Sequence, residues 1–293
     1  AGWQHRLPGK KPINCRNWWE RAALSKSLYK VAQQMLDANT ELVQSLPLET
    51  HYMGTVNEGA LDFYNGDLRL VKPDGSHRDF HENDWSRYLC EKAIPESYGK
   101  YVVFRDNEEE ISYRVGPLAR LNCAEKIDTP AANAELEKFH ETGGRPCHQT
   151  VMFNQARMIE ILYAMEKLEQ IVADEALYGG EVRAELDSPR DATAHVEAPR
   201  GVLIHDYKVD DNAIVKQANL LIATQQNLDA INKTIAMSAR RFIDQPDDAF
   251  LNAIEFGIRC YDPCLSCATH RIGDMKLDVA VRREGKTLRR VRR

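Results

Sequence analysis

Arg259-Cys260-Tyr261-Asp262-Pro263-Cys264-Leu265-Ser266-Cys267-Ala268-Thr269-His270 is the stretch on which the reading of this chain turns. Three of the seven cysteines fall within eight residues, and a histidine follows the last at the same three-residue stride. Thiolates are soft ligands suited to nickel, copper(I), zinc and iron–sulfur centres, and a Cys-x-x-Cys turn brings two sulfurs to one metal. Cys260, Cys264, Cys267 and His270 nominally make a closed zinc set, but four ligands in so short a run are cramped for a tetrahedral site. The cysteine spacing also admits an iron–sulfur cluster, against which stand its late position in a helix-rich chain and Pro263 between the cysteines. A redox Cys-x-x-Cys wants a βαβ context that is missing. The plain alternative is a set of buried thiols in a tight turn.

Composition bounds the choice. The 293 residues are 43% apolar and 28% charged, an ordinary globular balance, and length allows one or two domains. No apolar run approaches the roughly 20 residues that cross a bilayer. An odd cysteine count, and no charged-then-apolar leader, predict a reducing compartment, the cytoplasm. The net charge is −5, yet Arg271 to Arg293 holds nine Lys/Arg against three Asp/Glu. Such a tail suits either an acidic partner or a solvated extension. The chain begins Ala1-Gly2-Trp3, as a processed chain or a piece of a longer one would.

Outward from the cysteines, apolar periodicity predicts helices over Asn17 to Leu46, His148 to Leu177, Asn227 to Arg241 and Asp247 to Arg259. The stripe of the second is Met158, Ile161, Leu162, Met165, Leu168 and Val172. Asn65-Gly66 and Asp74-Gly75 predict a small antiparallel excursion between residues 51 and 80. Lys100 to Phe104 and Val202-Leu203-Ile204 read as strands, and Val115 to Asn122 as a breaker-containing loop whose Arg120 has either a site role or a surface or capping role. Ala218 to Thr224 reads as buried on all sides. The fold class expected is mainly α with small β excursions (α+β), built on a helix-bundle core.

Asp262-Pro263-Cys264-Leu265-Ser266-Cys267-Ala268-Thr269-His270 resembles the C-terminal Asp-Pro-Cys-x-x-Cys-x-x-His motif of [NiFe]-hydrogenase large subunits. Glu197-Ala198-Pro199-Arg200-Gly201 is similar to that family's Pro-Arg-Gly element, and Asn219 to Asn227 to the segment between the two. The Gly116 to Asn122 stretch and the Arg157/Glu160 helix look similar to the cytoplasmic, cofactor-linked group.

The resemblance implies reversible heterolytic H2 oxidation at a Ni–Fe centre with CO and cyanide on iron. Cys264 would be a terminal nickel ligand that accepts a proton, and Cys267 a nickel–iron bridge. Arg200 would stand at the open metal position, oriented by Asp262. Pro199 would shape the pocket, and Thr224 would hydrogen-bond a cyanide. His270 would bind magnesium or a similar ion and become the C-terminus once a maturation endopeptidase removes Arg271 to Arg293. Residues 1–270 would then be part of the large-subunit domain and 271–293 a propeptide, with Met275, Leu277, Val279 and Val281 alternating as in a strand. Implied partners are a small subunit carrying iron–sulfur clusters, a diaphorase or similar module taking electrons to NAD(P), and nickel chaperones; nucleic acid and a transmembrane segment are not expected. The family's Arg-x-Cys-Gly-x-Cys-x-x-x-His element is missing from these 293 residues, which predicts a C-terminal part, inactive alone. The competing reading is a structural metal-binding or assembly subunit of an oxidoreductase complex.

Overall fold

The computed structural model describes residues 46–95, 97, 99–106, 109–174, 190–264, 278–283 and 285–292, together with 27, 30, 31 and 34. Those last four are helical, in keeping with the helix expected over Asn17 to Leu46, whose remaining positions up to 45 lie outside the described residues.

The first sheet grows from the two turn signals. Strands β1 (His51–Asn57), β2 (Ala60–Leu61), β3 (Asp67–Val71) and β4 (His77–Phe80) pair antiparallel in the order β2-β1-β3-β4. Asp62 Oδ1 accepts from the Tyr64 and Asn65 amides, and Asp74 Oδ1 from that of Ser76, the local bonds by which Asx residues close turns. A second sheet joins β5 (Leu89–Lys92), β6 (Tyr101–Asp106) and β7 (Glu109–Ile111), with helix α1 (Trp85–Tyr88) ahead of it. Strand β8 (Tyr113–Arg114) then returns to lie parallel to β1.

Residues 117–123 are a correction. Instead of a loop they form helix α2 (Pro117–Cys123), all seven residues buried. Pro117 at the first helical position loses no intrahelical bond there, so the breaker starts the helix. Helix α3 (Pro130–Gly143) starts in the same way. Helix α4 (Phe153–Ala173) follows a short 3-10 turn, Thr150–Met152. Its buried face is Phe153, Gln155, Ala156, Ile159, Glu160, Leu162 and Tyr163. The expected stripe is therefore rotated: Ile161 is exposed, and a carboxylate takes an inward place that hydrophobicity alone cannot foresee.

A three-stranded sheet follows, in the order β11-β10-β9, from β9 (Ala192–Ala198), β10 (Gly201–Val209) and β11 (Val215–Leu221). Here too an expectation fails. Most of β11 is exposed, including Leu220, and only Leu221 is buried. The chain turns at Ile222 into the short helix α5 (Ala223–Gln226), which is buried throughout. Helices α6 (Leu228–Arg241) and α7 (Asp247–Arg259) pack as a pair, close at Gly257, where a Cβ would meet Ser238 Oγ and Thr234 Cγ2 at 3.0 Å. Strands β12 (Asp278–Arg283) and β13 (Lys286–Arg292) pair antiparallel, as the alternation predicted.

The α+β class stands. One core cluster joins α2, α3 and α4 to β1 and to Cys260-Tyr261, and a second joins the β-sheets through Met53, Leu70, Phe104, Val115 and Val202. The segments bearing the candidate site contribute to both, Cys260 and Tyr261 to the first and Val202 and Leu221 to the second.

Candidate active site

Three chain segments meet. The first is the end of α7. Tyr261 is buried against Phe153, ring centroids 4.8 Å apart, and its hydroxyl is 2.8 Å from Thr234 Oγ. Arg157 Nη2 donates to the Cys260 carbonyl (3.1 Å). These contacts fix the helix exit, after which Asp262 adopts φ +48. That left-handed conformation is one that Asp tolerates better than most residues. It turns the chain away from the helix axis and aims Pro263 and Cys264 at the neighbouring segments.

The second segment is the β9–β10 hairpin. Ala198 pairs with Gly201, so Pro199 and Arg200 are its two turn residues. The turn presses on the approach to α2: a Cβ on Gly116 (φ +97) would meet the Arg200 carbonyl oxygen at 2.7 Å. A Cβ on Gly201 (φ +138) would meet Val115 Cγ2 at 2.3 Å. Pro199 is exposed at the tip. Arg200 reaches from it to Asp262, with Nε donating to the backbone oxygen (2.5 Å) and Nη2 3.2 Å from Oδ2. Both side chains are partly exposed (37% and 51%), so this ion pair alone adds little stability.

The third segment is α5. The Cys264 amide donates to Thr224 Oγ (3.3 Å), and Thr224 itself is buried. Its hydroxyl keeps a proton with which it can donate. Helix α5 is tied down beyond it: Gln226 Nε2 donates to the Val202 carbonyl (2.6 Å), and Asn227 Oδ1 accepts from the Val115 amide (2.9 Å). Arg200, Asp262, Cys264 and Thr224 are thus brought together by bonds in the structure, across 64 residues of sequence. Cys267 and His270 lie outside the described residues.

Four other cysteines are described. Cys123, Cys147 and Cys260 are buried. Burial pushes the Cys260 thiol up to about 12, outweighing Arg157, so it stays protonated at neutral pH. Cys90 is half-buried, and Cys15 falls outside the described residues. His51 lies on β1, and His205 and Asp206 on β10; Asp206 is bonded to Thr193 and Asn219.

What the sequence left open lies directly beneath the Arg200 turn. Arg120, fully buried on α2, is held by both oxygens of Glu160 (2.6 and 2.7 Å) and by Glu197 Oε2 (2.7 Å). Burial works against its charge, but the two carboxylates outweigh this and hold its pKa above the ordinary value. Burial raises the pKa of the Glu160 carboxyl, because one guanidinium shared by two carboxylates offsets only part of their desolvation. Pro117 as a helix start was the available signal, since it turns an apparent loop into a helix and Arg120 inward.

A family model described as nickel-dependent hydrogenase matches residues 74–270. The chain belongs to that family. One relative is a vhc subunit of the F420-non-reducing hydrogenase of Methanococcus voltae, 38% identical over 283 residues that cover 90% of this chain and 60% of the relative. Another is the NAD-reducing hydrogenase HoxS subunit beta of Cupriavidus necator, 39% identical over 233 residues, covering 75% and 47%. The chain thus spans about half to three fifths of the length of these two relatives. A crystal structure of an NAD+-reducing [NiFe]-hydrogenase in the H2-reduced state superposes with a TM-score of 0.82 at 31% identity, covering 87% of this chain and 58% of that one. A [NiFeSe]-hydrogenase of Dm. baculatum shares the fold (TM-score 0.60, 20% identity). Membership of this hydrogenase family implies a nickel–iron centre. Among the described residues the Cys264 amide is held in place by Thr224, and as a thiolate its sulfur would suit a soft metal.

Proposed function

We propose that this chain is the part of a [NiFe]-hydrogenase large subunit that completes its Ni–Fe centre, and that the whole protein carries out reversible heterolytic H2 oxidation. The observation that carries the proposal is the joining of Arg200 and Asp262 beside Cys264, whose amide is in turn held by Thr224. Cys264 and Cys267 would hold the metals, with CO and cyanide completing the iron. When bound, the centre supplies the soft, redox-active site at which H2 is split and its electrons are collected.

The chain's own residues do the rest. The Cys264 sulfur is the base that takes the proton. Arg200 sets a fixed positive charge and a fork of N–H donors beside it, where charge separates during the reaction. Asp262 holds that fork by two bonds, one of them to backbone, so the guanidinium need not reorganise as charge develops. Thr224 retains a hydroxyl proton to donate to a cyanide nitrogen. Pro199 stiffens the turn that carries Arg200.

His270, where the family match stops, would hold a magnesium or similar ion and become the C-terminus when an endopeptidase removes 271–293. Electrons would pass to an iron–sulfur small subunit, then to NAD(P) through a diaphorase-like module, in the cytoplasm, after nickel chaperones load the site. Among the described residues no helix is long and apolar enough to cross a membrane. In the complete enzyme, Cys264→Ser and Cys267→Ser each abolish H2 uptake under this proposal; uptake retained by either variant overturns it.

A further inference from the structure

Arg120 uses its whole guanidinium. Nε and Nη2 hold the two oxygens of Glu160, and Nη1 holds Glu197 Oε2. Two further contacts are to backbone: Nη1 donates to the Ala198 carbonyl (2.9 Å) and Nη2 to the Pro199 carbonyl (3.2 Å). These are the two residues immediately before Arg200. Glu197 is fixed from its other side, because Oε1 accepts from the Thr55 amide (2.8 Å). The guanidinium therefore stands in a place set by α2, α4 and β1, and from there grips the strand end and turn that bear Arg200. Gly116 and Gly201 let this turn approach Val115 and the start of α2 without side chains in the way.

A matching arrangement serves Asp262. Arg157, one helical turn before Glu160 on α4, donates to the Cys260 carbonyl two residues before Asp262. Burial lowers its pKa, while Asp262 and then Glu160 favour its charge. Each member of the Arg200–Asp262 pair thus hangs from a turn whose backbone is held by an arginine of the buried layer below. A buried ion cluster is weak evidence of stability, because desolvation consumes most of its Coulomb energy. It is better evidence of a fixed geometry, since five planar donors accept only one arrangement of acceptors.

We propose that Arg120, braced by Glu160 and Glu197, is a positioning residue for Arg200: by holding the Ala198 and Pro199 carbonyls it sets where the Arg200 guanidinium meets Asp262. This rests on the role given to Arg200 above. Lysine at position 120 keeps the positive charge between the carboxylates, but a single ammonium cannot span two carboxylates and two carbonyls.

In the complete enzyme, R120K should keep its nickel and iron while amide hydrogen exchange across residues 198–203 quickens. Its kcat should fall by up to about 10²-fold with KM for H2 little changed, the scale expected when a reacting group is displaced by about an ångström. The double variant R120K/R200K should be no slower than R200K alone, because both changes remove one interaction. Where R120K does not accumulate, E160Q keeps the side-chain volume and one acceptor and should show a smaller rise in the same exchange. Unchanged exchange over 198–203 in R120K, or in E160Q where that is the variant tested, overturns the proposal. So does a loss in the double variant equal to the product of the single losses, or a fall in kcat that only tracks lost nickel. Wild-type protein without nickel would sink the functional reading instead, while the exchange measurement still decides whether Arg120 holds the turn.

Discussion

Arg200 and Cys260 show how differently two residues of one site depend on their surroundings. Arg200 is partly exposed, and its bond with Asp262 contributes little to folding, so its worth lies in chemistry. Lysine there keeps a charge but loses the planar fork. Arg200→Lys should therefore leave metal content and thermal midpoint near wild type while lowering turnover by about 10²-fold or more, the scale of one preorganised electrostatic group. Steady-state H2 uptake beside metal analysis checks this, and wild-type turnover would remove Arg200 from the reaction. Cys260 sits at the buried extreme, its thiol pushed up to about 12 by desolvation. The motif's residue types and order were legible in the sequence. The bond from the Cys264 amide to Thr224 was not, because the resemblance placed Thr224 only beside a cyanide and no local chemistry ties it to the Cys264 backbone.

At the scale of elements, the turns and caps were readable wherever local chemistry sets the outcome. The Asp74-Gly75 turn, the ends of α6 and α7, and the pairing of β12 with β13 follow from neighbouring residues. Helix α2 was misread because a proline that ends one element can equally start the next. The buried face of α4 was misread because Glu160 is inside only by virtue of Arg120, a partner 40 residues away.

The C-terminal hairpin adds a consequence of its own. Val291 is buried with Phe250, Leu251 and Ile254 of α7. Arg289 stacks over the Phe250 ring at 4.5 Å and bonds to the Gln245 carbonyl (2.9 Å). The described hairpin of the basic tail is therefore a docked element, where its charge suited an acidic partner or a solvated extension. Burying a valine is worth about 1.5–3 kcal/mol, so Val291→Asp should raise the undocked population by roughly tenfold or more. Limited trypsin digestion should then cut the tail faster by a similar factor with the rest of the chain intact; an unchanged rate would contradict the docking.

Across the whole molecule, the two core clusters and the site segments that join them come from contacts distant in sequence, which is why the α+β class was legible while the sheet order was not. Burial also leaves a signature in pH dependence. His51, His140 and His148 all have pKa values lowered from 6.5, in each case chiefly by desolvation. For His140, burial outweighs the backbone bonds to Gly144 and Leu121, which favour its charge. A histidine whose folded pKa is depressed binds its proton more readily when unfolded. Stability is then complete above pH 6.5 and declines as pH falls from 6.5 through the folded values. Urea midpoints measured over that range should fall in the wild-type protein and fall less in His140→Gln; equal slopes would remove His140 from the effect.

The central claim is that Cys264, held among Arg200, Asp262 and Thr224, helps hold a nickel–iron centre. Elemental analysis of the complete large subunit, purified beside its Cys264→Ser variant, tests it most directly. The account predicts nickel with iron in the wild-type protein and loss of the nickel in the variant. Stoichiometric zinc without nickel, or nickel undiminished in Cys264→Ser, would contradict it.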